Sequence, residues 1–328
     1  MKHVFVVNPG AGSADATRRV EAMIAGLASP IDYQLYRTQR SEDATLFVGD
    51  WLAGNPGPVR FYACGGDGTI NEVASAIASA TLAGQQQQQA VELACLPTGS
   101  GNDYIKTFGS RDDFLDLQRL VDGTTRRVDI MQVDVNAFSR EQAATEGVAK
   151  PSATRYCINI CNFGFDAEVC RVMNAVRRFP LIGGKNAYTT GIVKSIFTSL
   201  RSRCSITVDG NLFHDGAMLL CTLANGRYVG GKYQCAPMSV CDDGLLELNL
   251  FRPISLLRFA SLLSDYESGA YCSRGDIADI WRHCRGTVVE VSADKPFYIC
   301  LDGEMLLGNH YRITNHRQAL AMVLPQGL

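Results

Sequence analysis

Over the first third of the chain, short apolar runs alternate with longer stretches in which apolar residues recur every three or four positions. The first pattern is typical of buried strands and the second of amphipathic helices. The pattern predicts strands at His3–Asn8, Tyr33–Arg37, Val59–Cys64, Val91–Leu96 and Val128–Val135. It predicts helices at Ala14–Leu27, Glu42–Leu52, Thr69–Leu82 and Asp112–Val121. Strands that alternate with helices indicate a parallel sheet, so we expect an α/β domain here.

After this region the pattern changes to longer strand-like runs. These runs are Arg155–Phe163, Cys204–Val208, Ala217–Ala224, Leu245–Phe251, Thr287–Val291 and Phe297–Leu301. Helical periodicity returns only at Ala167–Arg178, Asn186–Leu200 and Ile254–Tyr266. The sequence therefore predicts a second domain that is rich in β-structure. Two polar segments, residues 136–153 and Gln85–Gln89, are predicted to be surface loops of unassigned role.

Length and composition agree with this division. A chain of 328 residues suggests two domains, and 46% apolar residues with a net charge of -2 describe a globular protein that has no nucleic-acid partner. The twelve cysteines form no CxxC pair and no zinc-like cluster, which favours a reducing cytoplasm, with a disulfide framework as the weaker alternative. Cys64, Cys95, Cys157, Cys161 and Cys221 are expected in the core. The longest apolar runs are too short to span a bilayer.

One glycine-rich segment joins a predicted strand directly to a predicted helix: Cys64-Gly65-Gly66-Asp67-Gly68-Thr69-Ile70-Asn71. Glycines let the backbone approach a ligand closely, and the first amides of a helix attract anions. We interpret the segment as a phosphate-binding loop. A carboxylate such as that of Asp67 would repel phosphate unless a cation compensates, so its presence predicts magnesium. The alternative is a tight turn with a capping aspartate.

Similar segments follow two other predicted strands. Asn8–Ser13 reads NPGAGS and Pro97–Asp103 reads PTGSGND. Ligands of open parallel sheets bind beyond the carboxyl ends of the strands, so three such loops together predict a nucleotide site.

Two further glycine patterns are rejected. In the segment Gly226–Tyr233 the first seven residues fit GxxxxGK, but Tyr233 stands where a P-loop has Ser or Thr, and no predicted helix follows. Gly10-Ala11-Gly12 lacks the third glycine of a dinucleotide fingerprint, where Asp15 stands, which disfavours hydride transfer.

The motifs NPGAGS, GGDGTINEVASAI, LPTGSGND, NFGFDAEV, APMSVCDDGLLEL and LDGE follow one another across nearly the whole chain. This set resembles the diacylglycerol kinase catalytic family, is most similar to the soluble bacterial lipid kinases, and is more distantly similar to sphingosine kinases. The resemblance implies an α/β ATP-binding domain, residues 1–128 with 310–328, and an inserted β-sandwich domain, residues 129–309. It also implies that Tyr311–Leu324 returns to the first domain and that ATP binds between the domains.

The resemblance implies ATP contacts for residues of the three glycine-rich loops and for the end of the second strand. These residues are Asn8, Pro9, Gly10, Ala11, Gly12, Thr38, Gly65, Gly66, Asp67, Gly68, Thr69, Ile70, Asn71 and Thr98. Thr38 taken alone would be a turn or capping residue. The resemblance further implies an acidic network around magnesium that consists of Asp67, Asp103, Asp129 and Asp243. It assigns Mg²⁺ to Asp243 and the main-chain oxygens of Val240 and Leu245.

By the same resemblance, Glu304 is the general base that removes the proton from a lipid hydroxyl, and Asp67 is the second catalytic residue. A positioned carboxylate can accept this proton as the new bond to phosphorus forms. Asp302 is expected to be structural, and without the resemblance Asp-Gly-Glu reads only as a turn. The chain departs from its relatives at Ser13, where a basic residue is common, and at Lys106, where arginine is common.

The sequence thus predicts an ATP- and Mg²⁺-dependent lipid kinase, with a diacylglycerol-like acceptor, in the cytoplasm and peripherally bound to the membrane. Alternatives are a kinase for a soluble acceptor such as NAD, or a nucleotide-binding regulator without catalysis. The basic and apolar stretch Arg171–Lys194 is interpreted either as a membrane contact or as amphipathic helices that cover the sheet. The identity of the lipid and the oligomeric state are left open, with a homodimer as one option.

Overall fold

The computed structural model describes residues 1–12, 15–84, 90–137, 153–177 and 202–328. The chain divides into two compact units. Unit 1 comprises Met1–Ile130, Cys241–Gly244 and His316–Leu328, and unit 2 comprises Met131–Val240 and Leu245–Asn315. The predicted helix Asn186–Leu200 and the segment Gln85–Gln89 lie outside the described residues.

Unit 1 is built on parallel strands: β1 (Lys2–Val7), β2 (Tyr33–Arg37), β3 (Val59–Gly65) and β4 (Val91–Pro97). They are ordered β2-β1-β3-β4. The helices of this unit are α1 (Ala16–Ala25), α2 (Asp43–Gly54), α3 (Asp67–Leu82), α4 (Arg111–Leu115) and α5 (Leu117–Val121). A short 3-10 helix follows the β4 loop at Tyr104–Thr107. The prediction of an α/β domain with a parallel sheet is confirmed.

Strand β3 lies inside this sheet, and every one of its residues is buried. Its one charged residue, Arg60, donates from Nε to Glu92 Oε2 of β4 at 2.6 Å. Its Nη1 donates to the carbonyls of Leu120 at 2.7 Å and Val121 at 2.8 Å, the last residues of α5. A buried ion pair with further hydrogen bonds thus holds α5 on the sheet.

The single helix predicted at Asp112–Val121 is in fact the pair α4 and α5. The break falls at Asp116, whose backbone is extended and whose carboxylate accepts a hydrogen bond from the Arg119 amide at 3.1 Å. Asp116 is therefore an N-cap residue, and a helix begins anew after it.

Unit 2 consists largely of antiparallel strands, and two of its strands continue into unit 1. The strands are β5 (Thr124–Ala137), β6 (Ala153–Cys157), β7 (Ile160–Gly164), β8 (Ser202–Val208), β9 (Asn211–Met218), β10 (Leu220–Ala224), β11 (Leu246–Phe251), β12 (Trp281–Gly286), β13 (Val288–Leu301) and β14 (Glu304–Leu324). The order along the main sheet is β12-β11-β10-β7-β13-β14, and the β8–β9 hairpin pairs with β13. The helices are α6 (Phe165–Arg177) and α7 (Leu256–Ser268). The predicted fold class, an α/β domain with a β-sandwich domain, is confirmed.

Alternating residues of these strands form an apolar core that includes Phe163, Leu248, Val291 and Tyr311. All twelve cysteines are free thiols, and the five expected in the core are buried. Among the described residues, no helix has the length and apolar character needed to cross a membrane.

Four predicted strands of this unit have different limits in the structure. The run Arg155–Phe163 is two strands, because the amides at its centre bind a carboxylate instead of a neighbouring strand. The run Ala217–Ala224 divides at Leu219, whose amide donates to the Phe251 carbonyl at 2.8 Å. The runs Thr287–Val291 and Phe297–Leu301 merge into β13, which contains a register shift against β14. Strand β12 was not predicted.

Candidate active site

The loops that follow β1, β3 and β4 meet at the carboxyl end of the unit 1 sheet and are hydrogen-bonded to one another. The amide of Asn8 donates to the Cys64 carbonyl at 2.9 Å. The amides of Thr98 and Gly99 both donate to the Gly65 carbonyl, at 3.0 and 3.1 Å. The three glycine-rich segments named by the sequence are therefore parts of one structure.

These loops approach so closely that side chains would not fit between them. A Cβ atom on Gly99 would lie 2.4 Å from the Cα of Gly66. Gly12 has a φ of +87°, and a Cβ atom there would lie 2.5 Å from the Thr98 carbonyl oxygen. Glycine is needed at Gly12 for its backbone angle and at Gly99 for space. The result is a backbone-lined surface of the kind that phosphate groups require.

Helix α3 begins earlier than the sequence indicated, at Asp67 instead of Thr69. Gly66 is its N-cap and provides no side-chain hydrogen bond, so no capping side chain competes with a ligand for the first amides. The Thr69 hydroxyl occupies the space that a side chain on Gly65 would fill, and Asn8 Nδ2 donates to it at 3.4 Å. The sixteen-residue helix thus begins at the glycine-rich loop with its positive end.

Asp67 holds the β4 loop in place. Its Oδ1 accepts hydrogen bonds from the amides of Asp103 at 2.6 Å and Tyr104 at 3.2 Å. Asp103 in turn forms an ion pair with Lys106, at 2.7 Å from Oδ1 to Nζ. Asp67, predicted to be catalytic, therefore has a structural role, and Lys106 has a carboxylate partner within its own loop.

Asp129, predicted to belong to the acidic network, is fully buried. Its two carboxylate oxygens accept hydrogen bonds from the amides of Gly244 and Gln318, each at 2.7 Å. Its own amide donates to the Cys241 carbonyl at 2.7 Å. These bonds explain why residues 241–244, placed by the sequence in the second domain, are grouped with unit 1.

The predicted magnesium ligand Asp243 lies in this same turn. Val240 and Leu245, the other two predicted ligands, flank the turn in sequence and belong to unit 2. No group of three or more His, Cys, Asp or Glu side chains is arranged to hold a metal in the described ranges. One carboxylate with main-chain carbonyl oxygens is nevertheless a hard-oxygen donor set, which suits Mg²⁺.

A cavity of about 520 Å³ lies beside the loops after β1 and β4. Its wall includes Gly10, Gly12, Thr98 and Ser100. The Thr98 hydroxyl is buried and has no hydrogen-bond partner in the described part of the chain. A buried hydroxyl of this kind fits a ligand that supplies the missing hydrogen bond. Thr38 lies at the end of β2, where its amide donates to the Val7 carbonyl at 2.9 Å.

Glu304 lies in unit 2, directly after the tight turn between β13 and β14. Asp302 and Gly303 have φ values of 49° and 98°, as in a type I′ hairpin turn. The Asp302 carboxylate accepts hydrogen bonds from the amides of Ile158 and Ile160, each at 2.8 Å. Asp302 is therefore structural, as expected, and Glu304 is exposed at a firmly held turn.

The motif NFGFDAEV contains a partly buried acid that the sequence did not single out. Burial raises the pKa of Asp166 to about 6, and a hydrogen bond from the Tyr266 hydroxyl at 3.0 Å partly offsets this rise. Apolar residues on both sides in sequence were the only available signal.

The family comparisons agree with the two-part architecture. Residues 2–133 match the diacylglycerol kinase catalytic domain, and residues 159–324 match the YegS C-terminal NAD kinase beta sandwich-like domain. The chain is 28% identical over 326 residues to a "Probable lipid kinase YegS-like" of Cronobacter sakazakii. The aligned region covers 98% of this chain and 95% of that protein.

Solved structures extend the similarity in fold. A diacylglycerol kinase from Bacillus anthracis superposes with a TM-score of 0.65 at 16% identity and covers 99% of this chain and 97% of its own. Yeast NADH kinase superposes with a TM-score of 0.50 at 10% identity, over 98% of this chain and 82% of its own. At these identities the superpositions demonstrate a shared fold only.

Proposed function

Because the chain belongs to the diacylglycerol kinase catalytic family, as a YegS-like lipid kinase, we propose that it transfers the γ-phosphate of ATP to a hydroxyl group of a diacylglycerol-like lipid. The observation that carries the proposal is the meeting of three glycine-rich loops at one sheet edge, with Gly99 against Gly66. A backbone surface beside the start of α3 supports the binding of several phosphate oxygens by amides.

In this proposal the loop residues Asn8–Gly12, Gly65–Asn71 and Thr98 bind ATP, with Thr38 beside them. Asp243 with the carbonyls of Val240 and Leu245 would hold Mg²⁺, which supplies positive charge to the phosphates when bound. Asp67 and Asp103 keep the loops in register through hydrogen bonds, and Asp129 does the same for the Asp243 turn.

The transfer step needs a proton acceptor. The lipid hydroxyl oxygen forms a bond to the γ-phosphorus, the bond between that phosphorus and the bridging oxygen breaks, and ADP leaves. The hydroxyl proton passes to the carboxylate of Glu304. The exposed position of Glu304 after a fixed turn supports this assignment, since an acceptor hydroxyl can reach its carboxylate.

The test is transfer of labelled γ-phosphate from Mg-ATP to lipids in mixed micelles and to NAD. The lipids are diacylglycerol, a sphingoid base, ceramide, phosphatidylglycerol and a polyprenol. Glu304→Gln removes the base without changing its size. Asp67→Asn removes charge but keeps the oxygen that accepts the Asp103 and Tyr104 amides. Glu290→Gln, an exposed surface residue paired with Arg312, is the matched control.

We expect one lipid to be labelled by the wild type and the control, and a loss of about 100-fold in Glu304→Gln, the usual contribution of a general base. Labelling of NAD without any lipid would replace the proposal with a soluble-acceptor kinase. Binding of ATP with no labelled product would indicate a regulator.

We also propose that the enzyme works from the cytoplasm on the membrane surface, because its acceptor is embedded there. Most of the stretch Arg171–Lys194 lies outside the described residues, and Arg171 is paired with Glu168 at 2.7 Å. Sedimentation with anionic vesicles tests this proposal, and protein that stays in the supernatant with every vesicle would contradict it. A homodimer would be detected by light scattering.

A further inference from the structure

Two arginines outside the glycine-rich motifs line the cavity beside the β1 and β4 loops: Arg19 of α1 and Arg111 of α4. Both residues are exposed. The described ranges contain no carboxylate paired with either of them. Arg111 makes a single hydrogen bond there, from Nε to the Pro97 carbonyl at 3.3 Å, which anchors the guanidinium to the end of β4. Its terminal Nη groups remain available to a ligand.

The rest of the cavity wall favours an anion. The Thr98 hydroxyl is buried and lacks a partner among the residues that the structure describes, and helix α1, ten residues long, begins in the wall at Ala16. Among the described lining residues the one carboxylate is that of Asp15, which accepts the Thr17 amide at 2.9 Å and lies 3.8 Å from Arg37 Nη2. Its charge is therefore partly compensated from outside the cavity, and the two arginines leave the site with net positive charge.

From this arrangement we propose that Arg19 and Arg111 bind the phosphate groups of the nucleotide and so determine its affinity for nucleoside polyphosphates. The inference rests on the proposed function for the identity of the ligand. Guanidinium groups suit this task because they donate two parallel hydrogen bonds to phosphate oxygens. The backbone loops alone would bind phosphate through neutral amides, and the arginines add the charge that separates ATP from adenosine.

The experiment is isothermal titration calorimetry of the full chain with ATP, ADP, AMP and adenosine. The variants are Arg19→Gln, Arg111→Gln and the double substitution. Arg18→Gln is the matched control, because Arg18 is the exposed neighbour on α1 and does not line the cavity. Melting temperatures show whether each variant is folded, and exposed arginines are expected to change them little.

We expect each single variant to bind ATP about 10-fold more weakly, as for the loss of one charge-assisted hydrogen bond, with adenosine affinity unchanged. The double variant should lose most of the preference for ATP over adenosine, and Arg18→Gln should match the wild type. The inference is overturned if the double variant binds ATP within twofold of the wild type. It is also overturned if adenosine affinity falls equally, or if the wild type binds no nucleotide.

Vesicles that contain phosphatidic acid distinguish a lipid phosphate from a nucleotide phosphate. Loss of vesicle binding in the variants with unchanged ATP affinity would assign the cavity to a lipid headgroup and overturn the inference. The phosphorylation assay separates this inference from the proposed function. Weakened ATP binding in the variants without any lipid product would retain the arginine assignment and reject the kinase.

Discussion

Replacement of Gly99 by alanine tests whether the backbone contact between the loops after β3 and β4 holds the candidate site together. The added Cβ would lie 2.4 Å from Gly66 Cα and 2.8 Å from Gly66 N. Carbon atoms in contact are normally about 3.5–4.0 Å apart, so the two loops must separate by about 1 Å. The hydrogen bonds from Thr98 and Gly99 to the Gly65 carbonyl would lengthen as they do so.

Overpacking of this kind costs about 1–3 kcal/mol, and weakening of two hydrogen bonds adds about 1 kcal/mol. We therefore expect Gly99→Ala to reduce the free energy of unfolding by about 2–4 kcal/mol, which for a chain of 328 residues corresponds to a fall in Tm of roughly 3–6 °C. Thermal unfolding followed by circular dichroism measures the change. Calorimetry should show weaker ATP binding as well, since the phosphate-binding amides move with the loops.

Gly68→Ala is the control for stability, because a Cβ atom there would have no neighbour within 4 Å. Gly68 lies in the first turn of α3, and alanine is preferred to glycine in helices by up to about 1 kcal/mol. This variant should melt at the wild-type temperature or slightly above it. A Gly99→Ala protein that melts within 1 °C of the wild type and binds ATP equally well would refute the reasoning.

Three further predictions concern charged side chains that are buried or partly buried. Asp166→Asn should stabilise the protein at pH 7.5 by about 2–3 kcal/mol, because the raised pKa of Asp166 makes its ionisation unfavourable to folding above pH 6. Below pH 4 the side chain at this position is neutral in both folded proteins, so the gain in stability should disappear. A gain that persists below pH 4 would contradict this cause. Arg60→Met should lower the free energy of unfolding in urea by about 3–5 kcal/mol, because it leaves Glu92 unpaired. The double variant Arg60→Met with Glu92→Leu should recover most of this stability. A double variant as unstable as the single variant would argue against a contribution from the ion pair. Asp302→Ala should cost about 3 kcal/mol by leaving buried amides without acceptors, and an unchanged urea midpoint would show that water replaces the carboxylate.

Much of the fold is readable from local sequence because unit 1 follows a regular alternation of strand and helix. Its loops could be identified as a nucleotide site because glycine-rich segments directly follow three predicted strands. In the structure these loops are joined by backbone hydrogen bonds that involve Asn8, Gly65 and Thr98. The ends of helices were less predictable where a capping side chain determines them. Asp116 divides one helical pattern into two helices by capping, and no periodicity reveals that choice.

Long-range contacts were beyond reach for a different physical reason. Asp129 and Asp302 each accept hydrogen bonds from amides more than a hundred residues away in sequence, so nothing in their sequence neighbourhood indicates these bonds. Arg19 and Arg111 belong to no motif, and only the folded chain brings them to one cavity. The role of Glu304 still depends on the family resemblance.

The 21-residue strand β14 also determines when the sheet of unit 1 can be completed during translation. Its residues Ala321–Val323 pair in parallel with Glu92–Ala94 of β4. Ribosomes make these residues only after all of unit 2, because that unit is inserted before them in the chain. Until then β4 has an unpaired edge, the kind of surface that recruits other unfinished chains. We therefore expect the β4 edge of an unfinished chain to stay unpaired until the last residues of β14 have been made, although the N-terminal strands emerge first.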